Sequence, residues 1–269
     1  MMDERLILFC RCRARYEMAG WVEGARIVKN HHETCHYILD DLCGLCAEDP
    51  GKISNLVNGA RQVLLIACHS RAVKLLLHNA GVDGVEKFLF FNLLEQDPAG
   101  LMTVIRDFIG ERMKIPSCGN PGTTLLQSNL SWPAWYPVID DSRCNRCGQC
   151  ADFCLFGVYR KSGDNVTVTH PQNCKNNCPA CARICPAVAI VFPKYTGGGA
   201  IAGSEGFDER SEIQRMQQDT DEILGNDIYQ ALEQRRMKRR SIIREDSLQK
   251  AITERDEALK QAGSSGEAS

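Results

Sequence analysis

The sequence predicts a small α/β domain, then an α+β domain built around a cysteine repeat, then a helical tail. Three observations carry that order. Short apolar runs alternate with helical stretches over residues 5–96. Two cysteine runs of matching pattern occupy residues 144–185, and beyond residue 194 glycines give way to a charged segment with sparse apolar positions. Alternation of strand-sized and helix-sized segments is the pattern of an α/β layer with parallel pairing.

In the first domain, residues 1–96, Leu6-Ile7-Leu8-Phe9, Val63-Leu64-Leu65-Ile66-Ala67 and Lys87-Phe88-Leu89-Phe90-Phe91 read as buried strands. Asp49-Pro50-Gly51 is a turn before a helix over residues 53–60. Ser70 is placed to cap a helix carrying Val73, Leu75, Leu76 and Leu77 that stops at Gly81. Residues 97–136 read as a connection: a helix over 101–113, a breaker cluster from Pro116 to Gly122, then Trp132-Pro133-Ala134-Trp135-Tyr136. Those aromatics predict a hydrophobic pad joining the domains, with a ligand or partner surface as the alternative.

Residues 137–193 hold an internal repeat in which each half has an apolar strand, three spaced cysteines, a fourth cysteine and a second apolar stretch. Lys161-Ser162-Gly163-Asp164-Asn165 predicts a hairpin turn between the halves. Gly197-Gly198-Gly199 and Gly203 predict a flexible exit into the last region, residues 194–269. Residues 208–261 then read as amphipathic helix with a narrow apolar face, free to dock on a partner, and 262–269 as disordered. The basic block at 235–240 reads as a solvated face.

Composition narrows the class. A chain of 269 residues with net charge −2 gives no reason to expect nucleic acid or a membrane surface as partner. The apolar runs are strand-sized, so no membrane span is expected, and the opening Met1-Met2-Asp3-Glu4-Arg5 is not that of a secretory leader. Fifteen cysteines is a high and odd count, and their Cys-x-x-Cys steps suit metal better than disulfides. A cytoplasmic location follows as the expectation.

The two runs are Cys144-x-x-Cys147-x-x-Cys150-x-x-x-Cys154 and Cys174-x-x-x-Cys178-x-x-Cys181-x-x-x-Cys185, the second followed by Pro186. This segment resembles the bacterial-type ferredoxins with two [4Fe–4S] clusters. The resemblance implies an α+β ferredoxin-like domain in which Cys144, Cys147, Cys150 and Cys185 hold one cluster. Cys174, Cys178, Cys181 and Cys154 would hold the other. Zinc is the competing occupant of four thiolates, although structural zinc sites favour paired Cys-x-x-Cys knuckles. Two departures stand out: an extra residue between Cys174 and Cys178, and Leu155 where the family places proline. The extra residue changes which backbone N–H groups meet sulfur, so the two clusters are expected to differ in potential.

The first domain adds Cys10-x-Cys12, Cys35, Cys43-x-x-Cys46 and Cys68. Cys10 and Cys12 end one predicted strand and Cys68 ends another, which puts them at the carboxyl edge of the sheet. Phe9-Cys10-Arg11-Cys12, Leu45-Cys46-Ala47-Glu48-Asp49-Pro50-Gly51 and Ala67-Cys68-His69-Ser70-Arg71 together resemble the amino-terminal domain of the heterodisulfide reductase A subunit. That resemblance implies a third [4Fe–4S] cluster on Cys10, Cys12, Cys46 and Cys68. His69-Ser70 departs from the Ser-Pro of that family, and the family's flavin domain is missing; with no Gly-x-Gly-x-x-Gly fingerprint, flavin is not expected in this chain. Cys35, Cys43 and Cys118 read as buried small hydrophobes, and His31, His32 and His36 as a polar loop rather than a metal site.

No acid, base or nucleophile constellation stands out. The expectation is an iron–sulfur relay subunit serving a catalytic oxidoreductase partner that supplies flavin or another cofactor. Two alternatives differ in class. One is a thiol–disulfide oxidoreductase in which Cys10, Cys12 or Cys68 is a thiolate activated beside Arg71; the other is a non-catalytic redox sensor.

Overall fold

The computed structural model describes residues 5–29, 36–110 and 123–224, with isolated helical positions beyond. Residues 1–219 form one compact unit and residues 220–269 a second. The chain opens with β1 (Arg5–Cys10), α1 (Ala19–Lys29), β2 (His36–Leu39), α2 (Leu42–Glu48), α3 (Pro50–Asn58) and β3 (Gln62–Ala67). It continues with α4 (Ser70–Asn79), β4 (Phe88–Asn92), α5 (Leu101–Ile109) and β5 (Thr123–Leu126). The five strands form one parallel sheet in the order β4-β3-β1-β2-β5. Leu8, Phe9, Leu64, Leu65 and Ile66 are fully covered, as strands packed on both faces must be.

The three apolar runs form the expected strands, while β2 and β5 are additions. Each is four residues long and too short to stand out by period. β5 also moves part of the supposed connection, residues 97–136, into the sheet. α4 begins at Ser70 as expected, but His69 occupies its N-cap and makes no side-chain capping bond. α3 starts at Pro50, where Asp49 accepts a bond from the Gly51 N–H. α5 stops at Gly110, whose φ of 73° closes it short of Met113; residues 111–122, with Cys118, lie outside the described residues.

The cysteine repeat is framed by β6 (Val138–Ile139) and comprises α6 (Gln149–Phe153), β7 (Tyr159–Ser162), β8 (Asn165–Val168), α7 (Ala180–Arg183) and β9 (Ile190–Val191). β6 and β9 pair antiparallel, tying the two ends of the repeat together. β7 and β8 form the expected hairpin, closed through Gly163 at φ 58°. The repeat lies against α4, which packs on β6. Trp135 and Tyr136, adjacent in sequence, serve different cores. Trp135 stacks on Phe192 at 5.3 Å, whereas Tyr136 joins the sheet core and donates to the Cys43 carbonyl at 2.8 Å. The aromatic run thus joins the two parts.

The glycine-rich exit is packed rather than free. α8 (Gly199–Ala202) buries Ala200, Ile201 and Ala202. At Gly203, φ is 84°, and a Cβ would sit 2.6 Å from the Ala72 Cβ of α4, so only glycine fits. α9 (Glu209–Leu224) follows. Its first turns pack at home: Glu212 accepts from the Ala200 N–H at 3.1 Å, and Met216 is buried. This part of the tail does not leave its own unit; residues 225–269 lie almost wholly outside the described residues.

Candidate cysteine sites

Each half of the repeat carries its cysteines on a tight turn and a short helix. Cys150 lies on α6 and Cys154 follows it, while Cys181 lies on α7 with Cys185 just beyond. The Cys150 thiol is pushed up to about 12, first by burial and then by the neighbouring Cys185, Cys147 and Cys144. Cys185 is raised by burial as well and also feels Cys147 and Cys144. Cys174 is pushed up to about 12 by burial, then by Cys154 and Cys178. Cys181, raised well up by burial, is opposed by the Tyr159 hydroxyl and feels Cys150, then Cys174 and Cys154. Cys185, at the end of the second run, thus lies near the first three cysteines of the first, and Cys154, at the end of the first run, lies near Cys174 and Cys181 of the second.

Polar groups are aimed at these sulfurs. The Tyr159 hydroxyl donates to Cys181 Sγ at 3.0 Å, and the Ala189 N–H to Cys185 Sγ at 3.3 Å. Among the described residues, the non-glycine positions with positive φ are Cys12 at 53°, Arg146 at 60°, Asn177 at 59° and Val188 at 49°. Arg146 lies inside the first run, Asn177 inside the second, and Val188 closes the turn after Cys185. Such conformations cost on the order of 1–3 kcal/mol and persist where the surroundings impose them. Their confinement to cysteine turns marks these turns as built for their sulfurs.

A second cysteine group lies at the carboxyl edge of the sheet. From adjacent strands β1 and β3 the chain runs outward in opposite directions, to β2 and to β4, which opens a crevice at their carboxyl ends. Cys10, Cys12, Cys43 and Cys68 line one small cavity in that crevice, together with Arg15, Asp41, Pro193 and Lys194. The Leu42 N–H points at Cys10 Sγ from 3.5 Å. Arg15, itself buried, donates to the Pro193 and Tyr195 carbonyls at 3.0 Å each, drawing the segment after β9 over the cavity. Lys194 meets Asp41 there at 2.5 Å.

Cys46 is not among the lining residues. It is buried farther along α2, where burial, then Asp41, pushes its thiol up to about 12. Cys43 lines the cavity, whereas Cys46, which the resemblance names, does not. The missed signal was β2: once that strand ends at Leu39, the first turn of α2 falls at the carboxyl edge and the next turn moves away. The surroundings of Cys68 differ from the expected pairing with Arg71. Burial, then Cys12, pushes Cys68 up to about 12, the cation that opposes this is Arg15, and Arg71 is engaged with Asp140. His36 is buried on β2, and His31, His32 and Cys35 lie outside the described residues.

An all-sulfur donor set suits iron–sulfur clusters or zinc. Among the described residues, no three His, Cys, Asp or Glu side chains are drawn together closely enough to hold a single metal ion. No described cysteine is in a disulfide. No helix of the described residues is long and apolar enough to cross a membrane.

Comparison with known proteins gives two informative relatives, both from Methanocaldococcus jannaschii. An uncharacterized ferredoxin is 44% identical over 61 residues, 22% of this chain and 42% of that protein. Pyruvate synthase subunit PorD is 27% identical over 70 residues, 26% of this chain and 80% of the subunit. The chain thus covers less than half of the first relative and contains a ferredoxin-like segment. No protein-family model and no solved structure matches it.

Proposed function

We propose that the chain is an iron–sulfur electron-transfer subunit serving a catalytic oxidoreductase, with two [4Fe–4S] clusters in the cysteine repeat and a third in the sheet crevice. The observation that carries the reading is that Cys185 lies near Cys144, Cys147 and Cys150 while Cys154 lies near Cys174 and Cys181; we assign Cys144, Cys147, Cys150 and Cys185 to one cluster and Cys174, Cys178, Cys181 and Cys154 to the other. The likeness to a ferredoxin and to a pyruvate synthase subunit supports it. A [4Fe–4S] cluster so held supplies one-electron oxidation and reduction.

The chain's own residues do the rest. Eight thiols in the repeat would provide two four-sulfur sets; Cys181 is buried, Cys147 is exposed and the other six are half-buried. The Tyr159 hydroxyl and the Ala189 N–H place positive dipole ends at Cys181 and Cys185, which favours added negative charge there. The first run is the more open one, since Cys147 is exposed. It is the face we assign to contact with the partner. Substrate chemistry and any flavin belong to that partner, and the unpaired cysteines suit a cytoplasmic setting.

The test is electron delivery. The reconstituted chain, reduced anaerobically, should pass electrons singly to a one-electron acceptor and co-purify from its native host with an oxidoreductase. A reconstituted chain that accepts no electrons, or accepts them only in pairs, removes the proposal.

A further inference from the structure

We infer that Cys43, and not Cys46, is the fourth thiolate of the crevice site, beside Cys10, Cys12 and Cys68. This rests on the reading of a third iron–sulfur site in the crevice and goes beyond it by naming the ligand set. Cys43 lines the cavity with the other three, whereas Cys46 does not. The Cys43 thiol feels Cys68 and Cys12, while Cys46 feels no other cysteine.

Four contacts fix α2 so that it cannot exchange the two. The Leu42 N–H faces Cys10 Sγ, which pins the first turn toward the crevice. The Tyr136 hydroxyl holds the Cys43 carbonyl at 2.8 Å. On another side, a Cβ at Gly44 would stand 2.7 Å from Ser128 Oγ, so the helix already lies as close to that segment as its backbone allows. Asp41, the N-cap of α2, is tied to Lys194. Bringing Cys46 into the cavity would require roughly a 60° roll and about 4.5 Å of travel along the axis, given 100° and 1.5 Å per residue. Every one of those contacts would break.

The donor set also fits the group. Cysteines from β1, the turn after it, α2 and the end of β3 line one cavity from different elements, so no single loop must fold around the cluster. Cys12 holds a left-handed backbone at φ 53°, an unfavourable conformation for cysteine that keeps it at the crevice. Arg15 supplies positive charge on the side closed by the segment after β9, while Lys194 is balanced by Asp41, so the lining carries a net positive charge toward a thiolate-bound cluster.

The experiment compares full-length wild type, Cys43→Ala and Cys46→Ala after anaerobic reconstitution with iron and sulfide. Wild type should hold about twelve irons per chain, Cys43→Ala about eight, and Cys46→Ala about twelve. Cys43→Ala at about twelve, or any loss of iron in Cys46→Ala, overturns the assignment. Wild type at about eight overturns the third site itself and the assignment with it, a distinguishable failure. If Cys43→Ala does not fold, Cys43→Ser keeps an oxygen donor. It should change one set of EPR signals of the reduced protein, and Cys46→Ser should change none. Unchanged signals in Cys43→Ser overturn the assignment equally.

Discussion

Lys194 donates to the Asp41 carboxylate at 2.5 Å across 153 residues of sequence, and both side chains are almost wholly covered. The pair spans the seam between the cysteine repeat and the sheet crevice. Both residues line the cavity that holds Cys10, Cys12, Cys43 and Cys68. Removing one partner strands a buried charge, which costs about 3–5 kcal/mol. Lys194→Ala should therefore lower the thermal midpoint by on the order of 10 °C. Lys194→Met combined with Asp41→Asn should recover most of that loss. A single-variant midpoint equal to wild type would show that the seam does not depend on the pair.

A second link across the seam joins Arg71 of α4 to Asp140, at 2.8 Å. Burial works to raise the Asp140 carboxyl, but the hydrogen bonds from Ser142 and Arg71 outweigh it and hold the group below its usual range. A carboxylate lowered in the folded state contributes stability above its unfolded value near 3.9, and loses it as pH falls through the lower folded value. Arg71→Ala should cost about 1.5–3 kcal/mol at neutral pH, a deficit that shrinks below about pH 4. Thermal midpoints measured across acid pH read this directly.

Phe207 lies between two guanidinium groups, Arg71 at 5.3 Å and Arg143 at 5.5 Å. Each such contact is worth about 0.5–1 kcal/mol at a partly exposed site. Phe207→Ala should thus destabilise by about 1–2 kcal/mol, with Phe207→Tyr close to wild type. Denaturant titration of the two variants checks it.

The half-buried thiols set a pH dependence for the chain stripped of metal. Cys68, Cys150 and Cys174 are pushed up to about 12, in each case chiefly by burial. A thiol raised in the folded state contributes stability that is complete below its unfolded value near 8.5 and is lost as pH rises toward the folded one. The metal-free chain should lose stability steadily from about pH 8.5 upward. Loading iron and sulfide at neutral pH should release protons, because thiols must ionise to bind. A pH-indicator titration with no proton release would contradict the half-buried, protonated starting state.

How much of this was legible in the sequence depends on element length and on pairing at a distance. The strands at Leu6, Val63 and Phe88 announce themselves as apolar runs, and the two cysteine runs by spacing. β2 and β5 do not, because four residues carry too little pattern and their place is set by neighbours in the sheet. Without β2, nothing local places Cys43 at the carboxyl edge, where it lines the cavity. The glycines at 197–203 read as a free linker, yet Gly203 is there because α4 comes so close at Ala72. Composition cannot separate a glycine needed for motion from one needed for contact. The ion pairs at Asp41 and Asp140 join residues far apart in sequence, and no local pattern points to them.

Iron–sulfur chemistry in the repeat is tested most directly by the iron and acid-labile sulfide content of the anaerobically reconstituted chain, read beside Cys154→Ala and Cys185→Ala. The expected result is equal iron and sulfide, about four of each lost in either variant, and the two variants losing different EPR signals on reduction. Zinc without sulfide, or both variants losing the same signal, would contradict it.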